Sequence, residues 1–304
     1  MKKKINQDSA VPEESKENVS PVMIRAENVC FSYDDGNGGM IEALHGVNLE
    51  IKRGEFVALL GHNGSGKSTF AKLCNLILTP SSGALWVNGV NVADPNLSED
   101  QIFDLRKHVG MVFQNPDNQL VATIVEEDIA FGPENLGLPP EEIRRRVDEA
   151  LDTVNMHAFA RHAPHQMSGG QKQRIAIAGV LAMQPDCIIF DESTSMLDPA
   201  GRAEIMQTME MLNRERGMTV LHITHYMDEA VRANRVVVLS DGEVTLDGTP
   251  EEVFSQVELL LSLGLDVPQI TQLLHELRGL GYEVNDHILH AAPGIEELKG
   301  LFFR

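Results

Sequence analysis

The chain has 304 residues, 42% of them hydrophobic and 23% charged, which suits one large globular domain with an adequate core and room for a small appendage. Its formal net charge of -20 at pH 7 argues against a nucleic-acid surface, since a polyanion binder displays a basic face. Phosphate can still be held, because backbone N–H groups supply positive potential locally even in an acidic protein.

Residues 1–20 are polar and mixed in charge and read as a disordered tail. Lysines there precede no apolar segment, so no signal peptide is expected, and no run of ~18 apolar residues offers a membrane span. Cys30, Cys74 and Cys187 are odd in number and far apart, which fits buried thiols in a reducing compartment and no zinc site. A cytosolic or peripheral protein is the expectation.

Order is predicted to begin at "VMIRAENVCFSY", whose alternation suggests a strand. "GVNLEIKRGEFVALLG" reads as two short strands around a turn at Arg53-Gly54. From Ser68, "STFAKLCNLIL" has helical spacing that stops at "TPSSG", and "GALWVNGVNV" returns to strand. The region from about 97 to 184 reads as mostly helical, including "PPEEIRRRVDEALDTV" with proline at its start and carboxylates in its first turn. "CIIFDE" is a continuous apolar strand of a sheet buried on both faces. "TVLHITH" and "RVVVLSDGEV" add strands, the latter turning tightly at Asp241-Gly242. Alternating strands and helices predict an α/β fold with a mainly parallel core. Past about residue 249, "PQITQLLHELRGLGY" puts Ile270, Leu273, Leu274 and Leu277 on one face of a helix, in a small helical appendage.

Gly61-His62-Asn63-Gly64-Ser65-Gly66-Lys67-Ser68 fits G-x-x-x-x-G-K-[ST] at every fixed position, between the strand "EFVALL" and a helix. Glycines let backbone fold round phosphate oxygens without Cβ clashes, and the helix N-terminus adds its dipole. Lys67 would reach the β- and γ-phosphates and Ser68 would ligate Mg²⁺. The embedded Asn63-Gly-Ser acceptor triplet is set aside for an intracellular phosphate loop. "CIIFDE" places Asp191 at a strand end, able to hold Mg²⁺ through water, with Glu192 beside it as general base for an attacking water. "MSGGQKQR", residues 167–174, about a hundred residues after the glycine loop, is a second run built to hold an anion. His222 and His225 have H-x-x-H spacing, but strand alternation sends them in directions awkward for a shared metal.

The order of these motifs resembles that of ABC-type ATPases over about residues 22–249: "GHNGSGKST", Gln114 in "FQNPDNQ", "MSGGQKQR", "CIIFDE", "SMLD", and His225 in "HITHYMDE". The resemblance implies a P-loop fold at 21–249, with an antiparallel β subdomain and a helical subdomain at about 115–180. Met167 stands where the family commonly has leucine, and Ser193 where alanine is usual. It further implies a head-to-tail pair of chains, with "SGGQ" of one completing the site opened by "GHNGSGKST" of the other. Ser168, Gly169, Gly170 and Gln171 would then meet a γ-phosphate held by a partner, through charge-assisted hydrogen bonds worth ~1.5–3 kcal/mol each. Thr69 belongs to the nucleotide-binding run, Tyr33 to the ring that stacks on adenine, and Gln114 to Mg²⁺ and γ-phosphate sensing. His225 would bond the γ-phosphate and orient the water, and Asp198 would lie at the dimer seam.

"FQNPDNQLVATIVEEDIAFGPENLGL" and "SMLDPAGR" are similar to the ATPase subunits of energy-coupling factor transporters, bacterial importers of vitamins or transition-metal ions. "NPDNQ", with the appendage opening "LGLDVPQ", resembles the first of the two paralogous ATPases that pair in many such systems. This implies ATP and Mg²⁺ as cofactors, and as partners a second ATPase subunit, a transmembrane coupling subunit and a substrate-binding membrane subunit. It implies a groove for a coupling helix after Gln114 and a dimer-holding appendage at 250–304. The location implied is the cytoplasmic side of the cell membrane, reached only through partners. A conventional ABC importer subunit, a soluble ABC protein of translation or repair, and a nucleotide-binding module without turnover are the alternatives.

Overall fold

The computed structural model describes residues 21–302, so the tail expected at 1–20 lies outside the described residues. In chain order, β1 (Val22–Asp34) and β2 (Met40–Lys52) are followed by β3 (Phe56–Leu60), α1 (Lys67–Cys74), β4 (Ser82–Val87) and β5 (Val90–Asn91). Next come α2 (Glu99–His108), β6 (Val109–Val112), α3 (Val125–Asn135), α4 (Pro140–Thr153) and α5 (Gly169–Leu181). β7 (Cys187–Asp191), α6 (Pro199–Arg216), β8 (Thr219–Ile223), α7 (Met227–Ala230), β9 (Arg235–Ser240) and β10 (Glu243–Gly248) complete the sheets. Four helices close the chain: α8 (Pro250–Phe254), α9 (Val257–Ser262), α10 (Gln269–Gly279) and α11 (Ala291–Phe302).

The strands form two sheets. One is antiparallel, in the order β2-β1-β4-β5, and the other runs β10-β9-β3-β8-β7-β6. In the second, β9, β3, β8, β7 and β6 are mutually parallel and β10 is added antiparallel at the edge. Its central strands read as unbroken apolar runs because each face needs a partner layer. Val57, Leu59, Ile189, Leu221 and Leu239 face the antiparallel sheet and α1. Phe56, Ala58, Leu60, Phe190, Val220 and Val238 face the helical layer with Ile129, Leu151, Ile177 and Met209. Side-chain alternation with period 2 thus divides one sheet between two cores. Val253, Phe254, Val257 and Leu260 of α8 and α9 bury themselves in the second of these cores.

Several local expectations are corrected. The strand before Arg53-Gly54 is 13 residues long and belongs to the antiparallel sheet, while β3 beyond the turn belongs to the parallel one. The helix after the glycine loop ends at Cys74, well short of "TPSSG". Asn75 commits its side-chain amide to the Val109 carbonyl, Leu76 takes a left-handed φ of 59°, and the Ile77 and Leu78 N–H groups turn back to the Lys72 carbonyl. The stretch 97–184 contains β6, a buried strand too short for periodicity to distinguish from helix. In α10, Thr271 and Leu274 are buried, whereas Leu273 is exposed and lies off the packed face.

Candidate active site

Four strand ends meet at the carboxyl edge of the parallel sheet. β3 runs into the 61–66 loop, β7 into Glu192, β8 into Thr224 and His225, and β6 into Phe113 and Gln114. Pairing sets Leu59 and Asp191 both opposite Ile223, and Val112 opposite Phe190, so these ends lie side by side. Open α/β sheets bind ligands at this edge, where loops of several strands converge.

The loop after β3 wraps closely around backbone. A Cβ at Gly66 would lie 2.6 Å from both the Ala43 carbonyl oxygen and Leu44 Cδ2, and its φ of 101° is also unfavourable for other residues. Lys67 follows at the start of α1 and is buried. Its Nζ donates to the Gly61 and His62 carbonyls at 2.7 and 2.9 Å, which curls the loop over its own lysine. Burial lowers the Lys67 pKa, while Glu192 and Asp191 push it back up. Ser65 Oγ is buried in the loop with no hydrogen-bond partner among the described residues. A cleft of about 230 Å³ opens here, lined by Tyr33, Asn63, Lys67, Ser68, Thr69 and Glu192. Tyr33 is 38% exposed, packs edge-on against Phe31, and has its hydroxyl 3.1 Å from Thr69 Oγ1. Its ring therefore borders the cleft and is not lost in the core.

The acids sit opposite the lysine. Ser68 Oγ donates to Asp191 Oδ1 at 2.8 Å. Burial raises the Asp191 pKa, and the Ser68 hydrogen bond opposes that rise. Glu192 adopts a left-handed φ of 50°, which turns its side chain out of β7 toward two neighbours. His225 Nε2 lies 2.6 Å from Glu192 Oε1, and Gln114 Nε2 lies 3.3 Å from Glu192 Oε2. A carboxylate held this way at the mouth of a phosphate loop is placed to take a proton from water.

The second glycine run lies elsewhere. Ser168 caps α5 in a reciprocal box with Gln171, the Gln171 N–H reaching Ser168 Oγ at 3.3 Å and the Ser168 N–H reaching Gln171 Oε1 at 2.9 Å. Residues 168–171 do not line the cleft at Lys67. A Cβ at Gly169 would meet nothing within 4 Å, and one at Gly170 only Leu197 Cδ2 at 3.7 Å. Neither glycine has a positive φ. Nothing among the described residues requires glycine at these positions. Asp198 caps α6 through the Gly201 N–H at 2.8 Å.

Sequence reasoning brought Lys67, Ser68, Asp191, Glu192, Gln114 and His225 together, but missed what lies beneath them. His222 and His225 turn to different carboxylates, Glu229 and Glu192. Glu229 and Thr194 are buried and hydrogen-bonded to each other. Ser195 Oγ accepts from Gln114 Nε2 at 3.3 Å and donates to the Glu192 carbonyl at 2.8 Å. The only signal available was a glutamate four residues after His225.

Comparison with known proteins agrees with this geometry. The family model described as "ABC transporter" matches residues 44–195. The chain is 56% identical over 267 residues to the energy-coupling factor transporter ATP-binding protein EcfA1 of Clostridium novyi, covering 88% of this chain and 94% of that protein. It is 53% identical over 274 residues to the protein of the same name from Caldanaerobacter subterraneus, covering 90% of this chain and 98% of the relative. Among solved structures, cbiO1 of Clostridium perfringens, part of the ABC transporter complex cbiONQ, superposes with a TM-score of 0.71 at 40% identity, over 84% of this chain and all (100%) of that one. A dimeric ATP-binding cassette in a post-hydrolysis state, bound to ADP and Pi, superposes with a TM-score of 0.68 at 35% identity, over 75% of this chain and 99% of that one.

Proposed function

The chain belongs to the ABC transporter family, among the energy-coupling factor transporter ATP-binding proteins, and from that membership we propose that it hydrolyses ATP to drive micronutrient import through membrane partners. The observation that carries the reading is the convergence of Lys67, Glu192, His225 and Gln114 around one cleft at the carboxyl edge of the sheet. Lys67 supplies a buried cation to the β- and γ-phosphates, exchanging its loop carbonyls for phosphate oxygens. Glu192 accepts the proton of the attacking water, with His225 and Gln114 orienting the carboxylate through their bonds to its two oxygens. Tyr33 offers its ring to the base, and stacking of that kind discriminates bases poorly.

Among the described residues, no group of three or more His, Cys, Asp or Glu side chains is arranged to hold a metal ion. The hydrogen-bonded oxygens of Ser68 and Asp191 suit Mg²⁺, a hard cation that takes few protein ligands and fills its shell with phosphate and water. Ser68 and Asp191 would hold it, with Gln114 nearby, and the ion would neutralise charge on the phosphates.

The free glycines at 169 and 170 support a head-to-tail dimer in which Ser168, Gly169, Gly170 and Gln171 close on nucleotide held by a second ATPase chain. Backbone approach of that kind needs bare N–H groups, a requirement the isolated chain does not impose. A groove of about 420 Å³ lined by Phe103, Val121, Phe131 and Met183 supports docking of a membrane subunit's helix beside the Gln114 segment. Exposed Leu273, Leu280, Tyr282 and Ile295 support contact between appendages. No helix among the described residues is long and apolar enough to cross a membrane, so in this reading the partners supply the attachment.

The test is to tag the chain in its native host, extract membranes in mild detergent and identify what is retained. Recovery of a second ATPase and two membrane subunits, with Mg²⁺-dependent ATP turnover, is the expected result. Recovery only of ribosomal or DNA-repair proteins would sink the reading.

A further inference from the structure

We propose that Glu229, a buried acid on α7 that does not itself face the cleft, is a positioning residue that ties the loop carrying Glu192 to the loop carrying His225. Glu229 is 3% exposed, and its Oε2 has three side-chain partners. Thr194 Oγ1, two residues past Glu192, donates at 2.9 Å. Thr224 Oγ1, immediately before His225, donates at 2.6 Å. His222 Nε2, within β8, lies at 2.9 Å. Because an ionised carboxylate only accepts, the imidazole takes its Nε2–H form there. Burial pushes the Glu229 carboxyl up, yet the His222 ring and the two threonine hydroxyls outweigh it and leave the group below its ordinary value.

The need for such a tie follows from the backbone at Glu192. A left-handed φ of 50° in a residue other than glycine is strained and persists only where the surroundings over-determine it. The Glu192 N–H bonds to the Ile223 carbonyl at 3.1 Å, and the Glu192 carbonyl accepts from the Ser195 N–H at 3.1 Å. Those bonds hold the turn from one side. Glu229 holds it from beneath, through Thr194. It fixes the other loop through Thr224, whose hydroxyl also accepts from the Tyr226 N–H at 3.0 Å. Both ends of the 2.6 Å contact between Glu192 and His225 are thereby referenced to one oxygen. Glu229 does not line the cleft at Lys67, so its loss is expected to act on the geometry of the chemical step more than on nucleotide binding.

This inference rests on the ATPase reading, so ATP turnover by the wild-type chain in its assembled complex is the control: if that is absent, the reading fails before the tie is tested. Given wild-type turnover, Glu229→Ala is expected to lower kcat at least ~10-fold with Kd for ATP within ~2-fold. Glu229→Gln, whose amide oxygen can take the place of Oε2, is expected to restore most of the rate. Thr194→Val cuts a single arm while keeping volume, and is expected to lower kcat ~3-fold or more at unchanged Kd, even where Glu229→Ala fails to fold. In a Glu192→Gln background, Thr194→Val should cause no further loss, because the group it positions is already gone. The proposal is overturned if folded Glu229→Ala or Thr194→Val keeps kcat within ~2-fold of wild type. It is equally overturned if ATP affinity falls in proportion to kcat, or if the losses simply multiply in the Glu192→Gln background, since those outcomes describe general loosening of the fold.

Discussion

His225 Nε2 and Glu192 Oε1 lie 2.6 Å apart, although 33 residues separate them in the chain. The contact joins the ends of β7 and β8 and holds the carboxylate at the mouth of the cleft. Glu192→Gln removes the proton acceptor while keeping the side chain's shape. Hydrolysis is expected to slow ~10²-fold or more, with ATP and Mg²⁺ binding retained and an ATP-bound dimer accumulating. Single-turnover rates and equilibrium nucleotide binding check this together. Unchanged turnover would hand the role of base to His225.

Lys67→Ala should fold, because the two carbonyls it leaves, of Gly61 and His62, belong to a loop at the cleft where water can replace the ammonium. The phosphates would lose a charge-assisted contact worth up to ~3 kcal/mol, a rise of ~100-fold in Kd for ATP. Calorimetry on the folded variant measures it directly. Near-normal affinity would remove the loop from the nucleotide site.

Ser193 carries a buried hydroxyl with no hydrogen-bond partner among the described residues. Leaving such a group unpaired costs ~1–3 kcal/mol, more than the small void left by deleting one oxygen. Ser193→Ala is therefore expected to raise Tm by ~2–4 °C in a chain of this size. A lower Tm would mean that the hydroxyl finds a partner.

The appendage carries a pH-sensitive tie. A hydrogen bond to Glu258 raises the His275 pKa despite partial burial, with Asp286 adding to the effect. A group raised in the folded state stabilises fully below its unfolded value of ~6.5, and that contribution fades as pH climbs through the folded value. For Asp286, burial pushes upward, but Arg278 and His275 pull the carboxyl lower, so its contribution is lost only as strongly acid pH is approached. The Tm advantage of wild type over His275→Gln should thus be full near pH 6 and shrink toward pH 9. A difference independent of pH would show that His275 acts by packing alone.

How much of this was readable in the sequence depends on distance along the chain. Lys67 and Ser68 were legible because phosphate binding needs fixed local spacing, and Asp191 and Glu192 because they end an apolar strand. The tie through Glu229 was not, because its partners Thr194 and His222 lie 35 and 7 residues away and meet only when β7 and β8 pair. β6 was hidden in a helical region by its shortness, and the early end of α1 by an asparagine whose partner is a carbonyl 34 residues on. Leu273 shows the opposite limit: the spacing placed it on a helix face, but the layer beneath α10 is too narrow to cover it.

We propose that the 61–69 loop and the 168–171 run of this chain meet two different nucleotides. A photo-cross-linking residue placed at exposed Ser168, in the assembled transporter loaded with Mg²⁺ and ATP, reports which chain's nucleotide that run meets. The expected result is an ATP-dependent cross-link to the phosphate-loop peptide of a second ATPase chain, seen as a two-chain band and identified by mass spectrometry. A cross-link to Asn63–Thr69 of the same polypeptide, in a band of single-chain mass, would contradict it.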